Sequence, residues 1–311
     1  MNVEFPSNRL LLSGASGMLG AALRQALSAL GSQVLQLVRR TPAGSDQLHW
    51  NPAAEPVLPN PEALEDLAAA IHLSGANVAG HRWTDSYKRE MTVSRVQSTR
   101  ALATMLAGLR HPPKTLLVAS AIGIYGNRGD DILDETSLPG RGFFGELCKE
   151  WEAAAQPARH AGIRVVHLRF GVVLGPGQGA LGRMLPLFRM GLGGPLGSGQ
   201  QYMSWIAQED VVGAILFLLE TPALSGPVNL TAPRPVTNAE FTRVLAHQLH
   251  RPAVLPVPAF ALKLALGQMA DEALLASARV YPAKLTIAGF RFRYPSLEQA
   301  LTAALAGPAL S

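Results

Sequence analysis

The chain is poor in cysteine, in charge and in aromatic side chains. Cys148 is the only cysteine among 311 residues, which excludes an internal disulfide and a thiol-rich zinc cluster. Charged residues make up 16% and aromatics 6%, while 48% of residues are hydrophobic. That balance excludes an intrinsically disordered chain and describes one able to bury a large core. No apolar run approaches the length of a membrane span; the longest, VVGAILFLL, is about half of what a spanning helix needs. The opening MNVEFPSNRLLLSG has no basic leader followed by a long apolar stretch and a cleavage site. The expectation is therefore a soluble, cytoplasmic protein with no membrane contact. Lysine and arginine are scattered, and the net charge of +5 contains no dense basic run, which argues against nucleic acid as a partner. His81, His160, His247 and His250 lack the spacing of a metal site, and His72, inside an apolar segment, reads as a hydrogen-bonded core residue. No metal is expected.

What is present is alternation. Strand patterns at 9–12, 33–38, 115–120 and 164–170, with an apolar patch at 67–73, are separated by helical patterns at 21–30, 84–109 and 145–156, the last stopped by Pro157. This order predicts an α/β fold: a Rossmann-type, doubly wound parallel sheet whose ligands bind beyond the carboxyl ends of the strands. Residues 175–200 are rich in glycine and read as an irregular lobe around one short helix. A helix at 210–220 returns to the sheet, and the tail beyond 231 is mostly helical. The expected division is a nucleotide-binding domain over 1–174, continued by 202–231. A smaller, mostly helical substrate lobe takes 175–201 and 232–311.

The stretch GASGMLG, with Gly14, Gly17 and Gly20, follows a strand and opens a helix. In that context backbone N–H groups and the positive end of the helix can hold a pyrophosphate without a lysine. The rival reading is an ordinary strand-to-helix turn. The second strand ends in Arg39 and Arg40 instead of the acid that grips the ribose hydroxyls of NAD. Paired guanidinium groups suit a 2′-phosphate, so the cofactor expected is NADP(H); a solvated sheet edge is the alternative.

These residues, with HLSGANVAG (72–80), SAIGIYG (120–126), SRVQSTRAL (94–102), LRFGVVLGPGQGAL (168–181), GLGGPLGSGQQYMSWI (191–206) and the tail YPAKLTIAGFRF, resemble the extended short-chain dehydrogenase/reductase superfamily. More narrowly, the chain resembles its atypical "epimerase family protein" subgroup, almost from end to end. The resemblance implies that Gly14, Ser16, Gly17, Met18 and Leu19 cradle the pyrophosphate. It implies that Arg39 and Arg40 hold the adenosine phosphate and that Leu73, Ser74 and Gly75 pass under the cofactor. Arg95 stands where the superfamily often has an asparagine near the cofactor, and Phe170, Gly171 and Val172 line the nicotinamide end. Trp83, Tyr202 and Trp205 are candidates for the substrate pocket. Two departures are visible: Trp50-Asn51-Pro52 stands for the subgroup's WDP, and Ala207 for the histidine of SWIH.

The superfamily's proton-transfer pair, Tyr-x-x-x-Lys, places both groups on one helical face, where the lysine lowers the tyrosine pKa. Here the lysine is Lys149, but Gly145 occupies the tyrosine position, and Ala121 stands where a serine or threonine is usual. The replacements open to this chain are Tyr125, Ser120, and the carboxylates Asp134 and Glu135. Lys149 is a candidate for holding the nicotinamide ribose; the alternative is a solvated surface lysine. Tyr125 is the first candidate for the acid; the alternative is that its ring only packs. The expected function is NADP(H)-dependent redox or epimerase chemistry on a small hydroxyl or carbonyl compound, by a monomer or homodimer. The competing class is a non-catalytic cofactor sensor or scaffold.

Overall fold

The computed structural model describes residues 8–55 and 57–307. The first seven residues, on which the expectation of no leader partly rests, lie outside them. The central element is a seven-stranded sheet of β1 (Arg9–Ser13), β2 (Gln33–Val38), β3 (Gln47–His49), β4 (Ala69–His72), β5 (Thr115–Ala121), β6 (Arg164–Phe170) and β7 (Gly226–Leu230). Their order is β3-β2-β1-β4-β5-β6-β7, and every pairing is parallel. The chain runs outward from β1 to β3 and then returns to place β4 on the other side of β1. Loops leaving β1 and β4 therefore diverge at the carboxyl edge and open a crevice between them. The expected doubly wound α/β sheet is present.

Side-chain alternation explains why the sheet is covered on both faces. Leu10 and Leu12 enter one core with Leu23, Ile71, Val166, Leu168 and Ile215, while Leu11 enters the opposite core with Leu37, Leu102, Leu116, Val118 and Trp151. Each such buried aliphatic side chain is worth about 1.5–3 kcal/mol relative to exposure. Helix α1 (Met18–Ala29) follows β1 on the first face. On the second face, α2 (Asp85–Thr92) and α3 (Ser98–Ala107) are joined by a widened π turn, Val93–Gln97, within the segment expected as one helix.

The helix expected to end at Pro157 is α4 (Phe143–Ala153), and Pro157 instead sits in the first turn of a separate short helix, α5 (Gln156–His160). Proline has no N–H to lose at that position, so it starts a helix as readily as it stops one. Edge strand β3 was not foreseen, because three residues are too few to establish alternation.

The glycine-rich stretch contains α6 (Gly179–Arg189), and α7 (Gln208–Glu220) returns to the sheet. The tail adds α8 (Asn238–Leu249), α9 (Ala259–Leu266), α10 (Ala283–Ile287) and α11 (Leu297–Ala306). A third core joins α6, α8 and α11 through Leu181, Phe188, Phe241, Leu245 and Leu301. Helix α9 buries none of its residues, and Phe260 and Leu264 on it are exposed. No helix among the described residues is long and apolar enough to cross a membrane.

A candidate nucleotide crevice and a polar cleft

At the crevice the glycines of the first loop are required by contact. Gly14 has a left-handed φ of 75°, and a Cβ there would stand 2.8 Å from the Leu73 carbonyl carbon and 3.0 Å from the Ser74 nitrogen. A Cβ on Gly20 would be 2.1 Å from the Gly14 oxygen, so α1 could not pack this close to its own loop with any other residue. Gly17, the residue preceding α1, offers no side chain to cap the first amides, and the first turn holds no acid. The free N–H groups and the helix dipole thus leave a positive, uncapped end at the crevice, bordered by exposed Ser16 and half-buried Met18 and Leu19. Arg39 and Arg40, just past β2, are both exposed.

Below the crevice, the Ser13 hydroxyl lies 2.6 Å from His72 Nδ1, and His72 Nε2 lies 3.1 Å from the Ser98 hydroxyl. His72 has no exposure, and burial lowers its pKa to about 4. It is the hydrogen-bonded core histidine expected. The segment after β4 is held from behind by the π turn: the Ala76 N–H donates to Ser94 Oγ at 3.0 Å, and Arg95 Nη2 donates to the Ala76 carbonyl at 2.7 Å. From above, the Arg183 guanidinium of α6 donates to the Ala79 carbonyl, while Met18 at the start of α1 touches Gly175 and Gly179. Gly171 has no room for a Cβ, which would fall 2.5 Å from the Ser204 oxygen, and half-buried Phe170 and Val172 flank it.

The proposed proton-transfer residues lie in a different setting. Tyr125 is entirely buried: its hydroxyl donates to Asn229 Oδ1 at 2.7 Å and accepts from Arg169 Nη1 at 2.9 Å. Burial raises its pKa, a trend that the nearby Arg169 charge opposes without reversing. Ser120 donates to Glu152 Oε1 at 2.7 Å. Glu152 in turn receives Arg169 Nε at 2.8 Å and Nη2 at 2.9 Å. Burial alone would raise the Glu152 pKa, but the Arg169 hydrogen bonds and charge outweigh it and hold the carboxyl below its usual value. Glu135 accepts from the Asn229 N–H at 3.0 Å and from the Lys284 N–H in the first turn of α10 at 3.4 Å. Asp134 caps its own turn through Thr136 and Ser137. Lys149 is half-exposed and paired with Glu146 at 2.6 Å.

Gly145 cannot simply be read as a missing tyrosine. A Cβ there would lie 3.0 Å from the Gly140 oxygen and 3.6 Å from the Ile124 oxygen, so backbone already fills the space. One residue earlier, the Phe144 ring packs directly on Gly123, where a Cβ would meet its Cδ1 at 2.4 Å.

A cavity of about 600 Å³ opens beside Phe144. Its polar wall is Asn127, Arg141, Gln201 and Glu272, with Lys263 and Asp271 paired at 2.8 Å. The Glu272 carboxylate receives the N–H groups of Phe143 and Phe144 at 3.2 and 2.8 Å, capping α4. The three aromatic residues expected in a substrate pocket do not line this cavity. Trp83 is buried against Phe143 and Phe144 and donates to the Val78 carbonyl at 2.8 Å. Tyr202 stacks beneath the Arg279 guanidinium, and Trp205 is wholly buried in the third core. The cleft residues escaped sequence reading because they come from four separate segments that carry no shared motif. Among the described residues, no group of three His, Cys, Asp or Glu could hold a metal ion.

A model of the NAD dependent epimerase/dehydratase family matches residues 10–230, the whole sheet and its crossovers. The chain belongs to that family. Residues 257–304 of this epimerase-family chain match a second model, a domain of unknown function called DUF1731. An epimerase family protein of Mycobacterium bovis is 46% identical over 297 residues, covering 96% of this chain and 97% of the relative. One from Bacillus subtilis is 36% identical, covering 96% and 98%. Among solved structures, human epimerase family protein SDR39U1 (isoform 2), crystallised with NADPH, superposes with a TM-score of 0.88 at 33% identity, covering 96% of this chain and 99% of that one.

Proposed function

We propose that this chain binds NADP(H) and works as an oxidoreductase or epimerase on a small hydroxyl or carbonyl compound. The observation that carries the reading is the glycine cradle: Gly14 pressed against Leu73 and Ser74, with Gly20 pressed against Gly14, leaves the uncapped start of α1 facing a crevice. That donor set fits a pyrophosphate. Arg39 and Arg40 supply forked donors for a 2′-phosphate at the adenosine end. The NADPH in the human relative's structure agrees with this assignment.

When bound, such a cofactor supplies or accepts a hydride at its nicotinamide ring. In this reading residues 1–174 with 202–231 carry the nucleotide, while 175–201 and 232–311 shape the cleft. Leu73, Ser74 and Gly75 form the floor, Phe170, Gly171 and Val172 the nicotinamide end, and Lys149 a group available to the ribose. Arg141 is an exposed cation of the cleft, as is Lys263, and orients a polar substrate, and Phe144 gives it an apolar wall. Tyr125 and Ser120 serve as structural residues, since their hydroxyls are spent on Asn229, Arg169 and Glu152. The substrate's proton is then exchanged with water or a cleft side chain.

The test pairs binding with turnover. Titration with NADPH is expected to show saturable binding. A panel of carbonyl compounds and sugar nucleotides is expected to contain one that consumes NADPH or changes configuration. Absence of NADPH binding would overturn the proposal.

The burial of Tyr125 favours a second reading, a cofactor-sensing protein without turnover. NADPH binding with no reaction across the panel, together with one stable protein partner in a pull-down, would support it.

A further inference from the structure

Strand β7 is the edge of the sheet, and α4 and α5 leave part of the second face beside it uncovered. Side chains alternate along β6: Val166 and Leu168 enter the first core and Val165 the second, so His167 and Arg169 point with Val165 to the second face. The result is a groove of about 290 Å³, walled by Gln156 and Arg159 and floored by His167, Arg169 and Pro227, the residue paired with His167 across β7. The groove shares no residue with the glycine cradle or with the cavity beside Phe144.

His167 is half-buried and has no hydrogen-bond partner. Its Nδ1 is shut in without a bond, and none reaches Nε2 among the described residues. A buried polar atom left unpaired costs about 1–3 kcal/mol. The charges this ring feels most are those of Glu152, Arg169, Arg159 and Lys284. Glu152 and Arg169 offset one another, and the Glu152 oxygens are already taken by Arg169 and Ser120. Arg159 is exposed and makes no ion pair or side-chain hydrogen bond among the described residues. Lys284 stands at the rim: its Nζ donates to the Ser225 carbonyl at 2.7 Å and would lie 3.9 Å from a Cβ on Gly226, which lines the groove. Glu135, bound to the Asn229 and Lys284 amides, is the remaining acid felt there. Three cations against two acids leave one positive charge in excess. Burial lowers the His167 pKa, Glu152 opposes this, and the three cations add to it. The ring is therefore neutral at neutral pH and offers one N–H.

We propose that this groove is a separate anion site, which takes a small phosphate- or carboxylate-bearing molecule between Arg159 and His167 with Lys284 at its rim. Arg159 supplies forked, charged donors to the oxyanion, and His167 supplies its unused N–H. The volume lies at the small end of ligand pockets. It admits an oxyanion with a few carbon atoms, for which Val165 and Pro227 provide apolar contact, and it excludes a dinucleotide. The inference is independent of the nucleotide-binding reading above.

Histidine-ring NMR spectra of the full chain test this, with the His167 signal assigned by its loss in His167→Gln. The probes are sodium sulfate, whose charge does not change near neutral pH, and sodium acetate, each titrated at constant ionic strength with and without NADPH. A saturable shift of the His167 signal and a rise in its pKa are expected, since a neighbouring anion favours the protonated ring. NADPH should leave both unchanged. Tighter binding of sulfate assigns the site to a phosphate-bearing ligand, and tighter binding of acetate to a carboxylate. Arg159→Gln is expected to weaken the anion about fivefold, the scale of one exposed charge contact, and Arg159→Lys to keep most of the affinity. The melting temperature of Arg159→Gln without added anion should equal that of the unaltered protein, because the side chain has no bond to lose. Absence of a saturable shift with either anion would overturn the proposal. So would equal affinity in Arg159→Gln, which would place the anion elsewhere, or loss of the shift on adding NADPH, which would place it in the crevice. If the protein binds no NADPH, the crevice reading falls, and the titrations without nucleotide still decide this one.

Discussion

The Tyr125 hydroxyl and the Asn229 side-chain oxygen meet at 2.7 Å, and neither residue has any exposed surface. This bond joins the turn after β5 to β7 across the end of the sheet, and Arg169 completes it from β6. A tyrosine so placed fastens the ends of β5, β6 and β7 to one another.

Tyr125→Phe is expected to lower stability by about 1–3 kcal/mol, because Asn229 Oδ1 and Arg169 Nη1 lose a buried partner. NADPH affinity should stay within about twofold of the unaltered protein, a range typical of changes away from a binding site. Thermal melts and fluorescence titration check both parts. An unaltered melting temperature with abolished turnover would return Tyr125 to the role of acid.

His72 makes stability depend on pH. Its pKa is near 6.5 in the unfolded chain and about 4 in the folded one, so between those values the unfolded state binds more protons. The contribution is complete above pH 6.5 and is lost as pH falls towards 4, a change of about 3 kcal/mol. His72→Gln is expected to be less stable at pH 7 and to show a flatter decline over this window in urea titrations at several pH values.

Glu152 acts in the same direction at lower pH. Its folded pKa lies below the usual carboxylate value of 4.5, so the stability from its pair with Arg169 is present above that value and lost as pH falls through the folded pKa. Glu152→Gln leaves a buried guanidinium uncompensated and should cost about 3–5 kcal/mol at pH 7. Its urea midpoint should then vary less with pH below 4.5 than that of the unaltered protein.

Gly20→Ala forces a methyl group to within 2.1 Å of the Gly14 oxygen unless α1 moves. Overpacking of this sort costs about 1–3 kcal/mol or more. The displaced helix end should also weaken both NADPH and NADH. A stable variant with undiminished affinity for both would show that the close approach has no part in binding.

The central strands were legible because each is bounded by a change of period, as at 33–38, where the expected and observed limits coincide, whereas the two edge strands Gln47–His49 and Gly226–Leu230 were not. The glycine loop was legible because three glycines in a fixed context imply close approach, and the contacts of Gly14 and Gly20 supply it. The cleft was not legible. Arg141, Gln201 and the neighbouring Lys263 and Glu272 come from three distant stretches and meet only because the tail folds back against the loops after β5. Trp205 illustrates the opposite error: glycine-rich surroundings suggested a pocket wall, whereas Leu181, Phe241 and Leu301 enclose the ring in a core. The commitment of Tyr125 and Ser120 to Arg169, Asn229 and Glu152 was equally invisible, since each partner lies on a different element.

In the proposed function the crevice selects the phosphorylated dinucleotide through Arg39 and Arg40. Calorimetric titration of NADPH and NADH against the unaltered protein and Arg39→Ala measures that selection directly. NADPH is expected to bind at least tenfold more tightly, and Arg39→Ala to remove most of this preference while leaving NADH nearly untouched, one phosphate contact being worth about 1.4 kcal/mol or more. Equal binding of the two nucleotides, or tighter binding of NADH, would contradict this reading.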